Sequence, residues 1–308
     1  MTMKYIDLHT HTNYSDAVTP PEHSLAEAEK LGLSLFSISD HNTVEAYGNL
    51  TDIRHIFSGK ILPAAELSTT FKGDVIEILG YGIDAKKMSG LISKNYFTFY
   101  EKQVREARLD TDALLAAGVK LDEEFVRAMK EEPHTIFDPS RETNRPYLMR
   151  EMQRHPENVR FFESEEEFLS LTPQKFSRNY LFNAQSALYS DQSPLSPDLL
   201  TVLDMISTCG GLAFLAHPFV YSQNVISSLD DLAASGIDGI ECFYGTFTPE
   251  QKKYMFNYCE EKGLFKSGGS DYHGLKMRPG NPIGFSAGEK IPFSLIEPWL
   301  GRVENSLI

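Results

Sequence analysis

The sequence predicts an α/β fold in which strands and helices alternate and a mostly helical segment interrupts the series. Three observations carry this. Short apolar runs of strand length recur with helical stretches between them. Polar residues of metal-binding type collect where those runs end. Between about 86 and 194 the rhythm changes: charged and apolar residues interleave at helical spacing over 96–117 and 123–129, and Pro133, Pro139 and Pro173 mark loops. Residues 1–85 and 195–308 are therefore expected to form one α/β domain, and 86–194 a helical insertion.

The elements follow in order. Tyr5, Ile6 and Leu8 form an apolar run that reads as a strand ending in His9 and His11. Residues two apart on a strand face the same side, so the two imidazoles are presented together. Thr19-Pro20-Pro21-Glu22 has the spacing of a capping box with Pro at the first helical position, and Gly32 is the helix stop. Residues 33–39 read as a second strand, delivering Ser39-Asp40-His41-Asn42, and a helix is expected over 43–57. A third strand over 60–65 ends in Glu66, and a fourth over 75–82 contains Glu77. After the insertion, a helix ends at Gly210 and a strand delivers His217-Pro218. Gly239 and Ile240 lead into Glu241, Thr248-Pro249-Glu250-Gln251 repeats the capping device, and a last strand ends before Asp271-Tyr272-His273.

Composition narrows the function. The chain has 308 residues, 41% of them hydrophobic, enough for a substantial core, and a formal net charge of -14. That charge excludes gripping long nucleic acid with a broad basic face, although a few bound cations would permit a small phosphate ester. Cys209, Cys242 and Cys259 are widely spaced and odd in number, which predicts core thiols in a reducing compartment. No apolar run reaches membrane-spanning length and the start lacks a signal-peptide pattern, so a cytoplasmic protein is expected, with its oligomeric state open.

His9, His11, Asp16, Asp40, His41, Glu66, His217, Asp271 and His273 all fall at or just beyond predicted strand ends. In parallel α/β architectures that edge is where active sites are built. Mixed imidazole and carboxylate sets suit Mn, Zn or Fe. The set exceeds what one ion uses, and a carboxylate such as Glu66 can bridge two, so two or three divalent ions are expected.

These residues carry a family resemblance. His9-Thr10-His11 with Asp16, Ser39-Asp40-His41-Asn42, Glu66, Ala216-His217-Pro218 and Gly269-Ser270-Asp271-Tyr272-His273 resemble the four motifs of the polymerase and histidinol phosphatase (PHP) superfamily. The resemblance implies a distorted seven-stranded (β/α) barrel with a trinuclear metal site that cleaves phosphate esters by a metal-activated hydroxide. In more detail the chain resembles the branch acting on nucleotides, 3′,5′-bisphosphonucleotides and short RNA ends, whose helical insertion is a substrate-side subdomain. The implied groupings are His9, His11, Glu66 and Asp271 around one ion, His217 with bridging Glu66 and Glu77 around a second, and Asp16, His41 and His273 around a third. Asp271, His273 and Arg145 are the implied catalytic groups, with Arg145, Arg178 and Tyr180 as phosphate-binding residues and Asp40 and Glu241 as supporting carboxylates.

Two departures stand out. Glu77 occupies a position where the family usually has His, leaving open a harder ligand or a buried structural pair. Asn144-Arg145-Pro146-Tyr147 keeps the family's Arg but has Tyr147 in place of a His two residues on. Alternatives are a histidinol-phosphate-type or other small-molecule phosphatase, and a non-catalytic metal-binding or scaffolding module. An amidohydrolase-type enzyme is disfavoured because no Lys falls at a strand end to form a carbamylated bridge.

Overall fold

Residues 4–221 and 223–308 are described by the structure, a computed structural model. The chain divides into two compact units, one formed by the residues up to Asn95 together with Pro197–Ile308, the other by Tyr96–Ser196. Residues 86–95, expected in the insertion, instead continue the first unit as the helix Ala85–Asn95, which buries Met88 and contacts the helix Leu199–Thr208.

In the first unit, β1 (Ile6–Asp7), β2 (Leu35–Phe36) and β3 (Lys60–Ile61) form a parallel three-stranded sheet. A five-stranded sheet follows in the order β4 (Ala64–Phe71), β5 (Asp74–Tyr81), β6 (Leu212–Leu215), β7 (Gly239–Phe243), β8 (Phe265–Gly268). Here the expected parallel series is corrected. β4, β5 and β6 pair antiparallel, and only β6, β7 and β8 run parallel. The cause is local: Pro63 ends the third strand early, and β4 and β5 are joined by Lys72 and Gly73 at φ 51° and 86°, the two positive values that a two-residue hairpin turn requires. Glu66 consequently lies inside β4 instead of at a strand end.

Backbone hydrogen bonds link the neighbouring edges of the two sheets. Leu8 N donates to Gly268 O at 3.2 Å and Asp271 N to His9 O at 2.8 Å; on the other side Glu66 N donates to Ser39 O at 3.2 Å. Beneath these joins lies a core of Ile6, Leu8, Leu35, Leu62, Leu79, Tyr81, Phe214 and Trp299. Trp299 is fully buried, stacks on Tyr81 with centroids 5.6 Å apart, and donates its indole N–H to Lys266 O at 2.9 Å. All three cysteines are buried and free.

Helix ends follow the sequence unevenly. Thr248 and Gln251 form both bonds of a capping box and Gly263 ends that helix at φ 67°. At the first helix, Pro21–Lys30, the N-cap is Pro20 and no side chain caps it, because the Pro-Pro pair sets the boundary one residue beyond Thr19. The helix expected over 43–57 breaks into the short turns Glu45–Asn49, Leu50–Ile53 and Arg54–Ile56, consistent with the weak helix formers Gly48 and Asn49.

The second unit is helical. Its longest helix, Phe99–Ala116, starts with a complete Thr98–Glu101 capping box, and its core gathers Ala107, Leu114, Met129, Leu148, Phe176 and Leu181. Glu165, Glu166 and Glu167 open the helix Glu165–Leu169, capped by Ser164, where negative charge is favoured at the helix N-terminus. Among the described residues, no helix is long and apolar enough to cross a membrane.

Candidate metal centre

The first unit brings the widely separated ligand candidates together. His9 and His11 extend from β1 with Nε2 atoms 3.1 Å apart. Glu66 faces them from β4, its Oε2 lying 3.2 Å from each Nε2 and 3.1 Å from His41 Nδ1. Its other oxygen lies 2.8 Å from His217 Nε2. The hairpin register sets Ser68 opposite Glu77, so Glu66, Ser68 and Glu77 share one face of the sheet. Glu77 thereby comes within 3.2 Å of His41 Nδ1 and 3.4 Å of His217 Nε2. His273 Nε2 lies 3.0 Å from Asp16 Oδ1, with His41 Nε2 at 3.7 Å from the same oxygen. Asp271 Oδ1 approaches His11 Nε2 at 3.1 Å and His9 Nε2 at 3.6 Å.

Three overlapping groups can each converge on one ion: His9, His11 and Glu66; His41, Glu66 and Glu77; and His11, Asp16, His41 and His273. His41 belongs to two of them, a sharing that the implied groupings lacked. The donor chemistry fits divalent ions. Glu66 Oε2 is buried amid three imidazoles yet accepts no hydrogen bond, and His11 Nδ1, His217 Nδ1 and His273 Nε2 are buried without hydrogen-bond partners. Buried polar atoms of this kind are costly unless they are coordinated or solvated.

The charges respond to one another. Burial alone would depress the His9 imidazole, but Glu66, Glu241 and Asp271 hold it well above its usual range. Burial likewise opposes charge on His41, which Glu66 and Glu77 raise to about 10. Burial would raise Glu66, and His9 and His41 hold it well below the usual carboxylate range. Without ions, protons on these imidazoles balance the carboxylates; cations would replace them.

Supporting carboxylates fix the ligands. Glu241, fully buried inside β7, places Oε1 3.0 Å from His9 Nδ1 and accepts the His217 N–H on Oε2 at 2.9 Å. Asp40 accepts Thr12 N at 2.7 Å, Thr12 Oγ1 at 2.6 Å and Ser15 Oγ at 2.7 Å. It therefore pins the loop that carries Asp16, and caps no helix. Backbone strain accompanies the site: Asn42, His217 and Asp271 have φ of 51°, 26° and 54°. Gly269 is required by close approach, since a Cβ there would lie 2.1 Å from His9 Cβ.

Some functional side chains have no signal in the sequence. Asp7 is buried and accepts from Ser270 N, Ser270 Oγ and Gly284 N, with burial pushing its carboxyl up to about 6. Tyr244 donates to Asp271 Oδ2 at 2.8 Å, Arg278 pairs with the same oxygen, and Tyr221 Oη accepts the Glu77 N–H at 2.9 Å. They lie in loops or beside strand ends, where no periodicity singles them out.

The remaining candidates belong to the second unit. Arg145 Nη2 pairs with Glu106 at 3.2 Å, its guanidinium lies 4.6 Å from the Phe182 ring centroid, and its Nε is buried without a partner. Tyr180 donates to Glu167 at 2.6 Å, Arg178 lies in the single turn Ser177–Leu181, and Tyr147 donates to Glu142 at 2.9 Å.

Residues 7–131 match the model of the PHP domain. A 5′-3′ exoribonuclease of Haemophilus influenzae is 26% identical over 89% of this chain and 91% of its own length. A 3′,5′-nucleoside bisphosphate phosphatase of Chromobacterium violaceum is 24% identical over 88% of each chain. Among solved structures, a Chromobacterium violaceum protein described as an amidohydrolase with bound sulfate matches 99% of this chain and 97% of its own, with TM-score 0.64 and 22% identity. A Bifidobacterium adolescentis protein, provisionally described as a metal-dependent phosphoesterase, covers 97% and 96% with TM-score 0.60 and 21% identity. The motifs read from the sequence agree with this match: residues 7–131 are similar to the PHP domain, and the two solved structures share the fold.

Proposed function

We propose that the chain is a metal-dependent phosphoesterase that hydrolyses a phosphate monoester of a nucleotide, a 3′,5′-bisphosphonucleotide or a short RNA end. One observation carries the reading: Glu66 stands at the centre of four imidazoles drawn from three parts of the chain. The named activities of the exoribonuclease and the bisphosphate phosphatase support the substrate class. We read the three- and five-stranded sheets, with their linked edges, as the distorted barrel.

His9, His11, Glu66 and Asp271 would hold one ion, His217, His41, Glu66 and Glu77 a second, and Asp16, His11, His41 and His273 a third, of Mn, Zn or Fe. Divalent ions there supply an activated water and neutralise phosphoryl charge. The chain's own groups arrange this. Glu241 accepts the His9 Nδ1 proton, leaving Nε2 with its lone pair facing the centre. Tyr244 donates to Asp271 Oδ2 and so turns Oδ1 toward His9 and His11. Glu77 replaces an imidazole with a carboxylate, which adds negative charge and favours harder ions. Arg145 is the second unit's candidate for a phosphate contact.

Phosphate release from AMP, adenosine 3′,5′-bisphosphate, histidinol phosphate and a 5′-phosphorylated dinucleotide, with Mn-loaded protein and a His9→Ala control, tests the reading. Turnover of a nucleotide class that vanishes in the variant supports it. Preference for histidinol phosphate moves the substrate to the small-molecule alternative, and no turnover with ions bound overturns it.

A further inference from the structure

The first unit presents an anionic face to an anionic substrate. Asp16, Glu66, Glu77, Glu241 and Asp271 crowd the centre, and among the described residues Arg278 is the single Lys or Arg that forms an ion pair with any of them. Its position is fixed by the turn after His273, where Met277 N and Arg278 N both donate to Gly274 O at 2.9 Å. Nη1 pairs with Asp271 Oδ2, and Asp271, Tyr244, Asp16 and Glu66 together favour the charged guanidinium although burial opposes it. A guanidinium has five N–H donors in a planar fork, and the pair with Asp271 uses Nη1. The side chain is 41% exposed, so the fork is open on one side. Tyr244 binds the same oxygen but is 6% exposed and has its single hydroxyl proton committed there.

We propose that Arg278 is a substrate-binding residue: while Nη1 anchors Asp271, the open edge of its guanidinium binds oxygens of the phosphoryl group being transferred. The inference rests on the phosphoesterase reading above. It follows from the match of a planar fork to phosphate oxygens and from the need for a fixed cation that stays when ions exchange. Arg278 thus differs from Tyr244, which acts on substrate only through Asp271.

The test compares wild type, Arg278→Gln, Arg278→Lys and Tyr244→Phe, each Mn-loaded, with bound metal quantified. Affinity for inorganic phosphate is measured by calorimetry, beside KM and kcat for the best phosphomonoester. The expected result for Arg278→Gln is wild-type metal content with phosphate binding and KM weakened about 10-fold or more, partly restored in Arg278→Lys. Tyr244→Phe should keep phosphate affinity within about twofold, because it removes no phosphate donor. If Arg278→Gln and Tyr244→Phe share one signature, or phosphate binds Arg278→Gln as it binds wild type, Arg278 only positions Asp271 and the inference falls while the phosphoesterase stands. Wild type that neither binds phosphate nor turns over any monoester removes both.

Discussion

Glu241→Gln is the substitution that examines how the ligand set is held. Both carboxylate oxygens are used, one on the His9 ring at 3.0 Å and the other on the His217 N–H at 2.9 Å, with no exposure to water. A glutamine of the same size offers one acceptor oxygen and one amino group, so one of the two buried donors must face another donor. A buried donor left unsatisfied costs about 1–3 kcal/mol. If His9 loses its partner, its Nδ1 proton is no longer held and Nε2 is no longer fixed as the lone-pair atom. Loss of such a partner lowers metal affinity about 10–100-fold, roughly 1.4–2.7 kcal/mol. Competition against a chelator of known affinity, on protein whose fold is checked by circular dichroism, reads this directly. Metal affinity within about twofold of wild type in a folded variant would refute the claim that Glu241 orients His9.

Other outcomes follow from the same geometry. His41, held at about 10 by Glu66 and Glu77 against burial, must lose a proton to bind metal, so apparent metal affinity should rise between about pH 6 and 8 with proton release; pH-independent binding would contradict this. In the metal-free protein the sign for folding is opposite. His41 contributes stability that is complete below its unfolded value near 6.5 and is lost as pH rises through about 10, which denaturant titrations in the absence of metal would detect. Gly269→Ala places a methyl group 2.1 Å from His9 Cβ, so it should destabilise by about 1–3 kcal/mol and weaken metal binding; a wild-type metal isotherm would contradict it. Trp299→Ala should cost about 3–5 kcal/mol in urea unfolding, since it empties a buried stack on Tyr81 and loses the bond to Lys266; a change under about 1 kcal/mol would mean that the core closes around the gap.

The residues most legible in the sequence are those whose chemistry is concentrated at strand ends. His9 and His11, His41, His217, Asp271 and His273 each follow a short apolar run, and the structure brings all of them to one face of the first unit. Glu66 and Glu77 were legible as carboxylates, but as neighbours only through the family resemblance and not from their own spacing. Their shared face depends on the antiparallel register of β4 and β5, which hangs on a turn with Lys72, not Asn or Asp, at positive φ. A parallel series was the natural reading because the surrounding strands alternate with helices, and one short hairpin reverses it. Tyr244 and Arg278 were invisible for a different reason: they meet Asp271 only after β7 and β8 are placed side by side and the turn at Gly274 brings the chain back. Asp40 shows the converse. Its position beside His41 suggests coordination or capping, while its three hydrogen bonds go to the Thr12–Ser15 loop.

The central claim is that ions held by this set drive phosphoester cleavage, and a titration of metal into the metal-free protein tests it most directly, with bound ions and phosphate release measured on the same samples. The account predicts that turnover of a nucleotide monoester is absent at zero occupancy, appears as the His9, His11 and Glu66 group and its neighbours fill, and is abolished in His9→Ala at matched metal concentration. Full occupancy without phosphate release from any monoester, or release that is indifferent to metal, would contradict it.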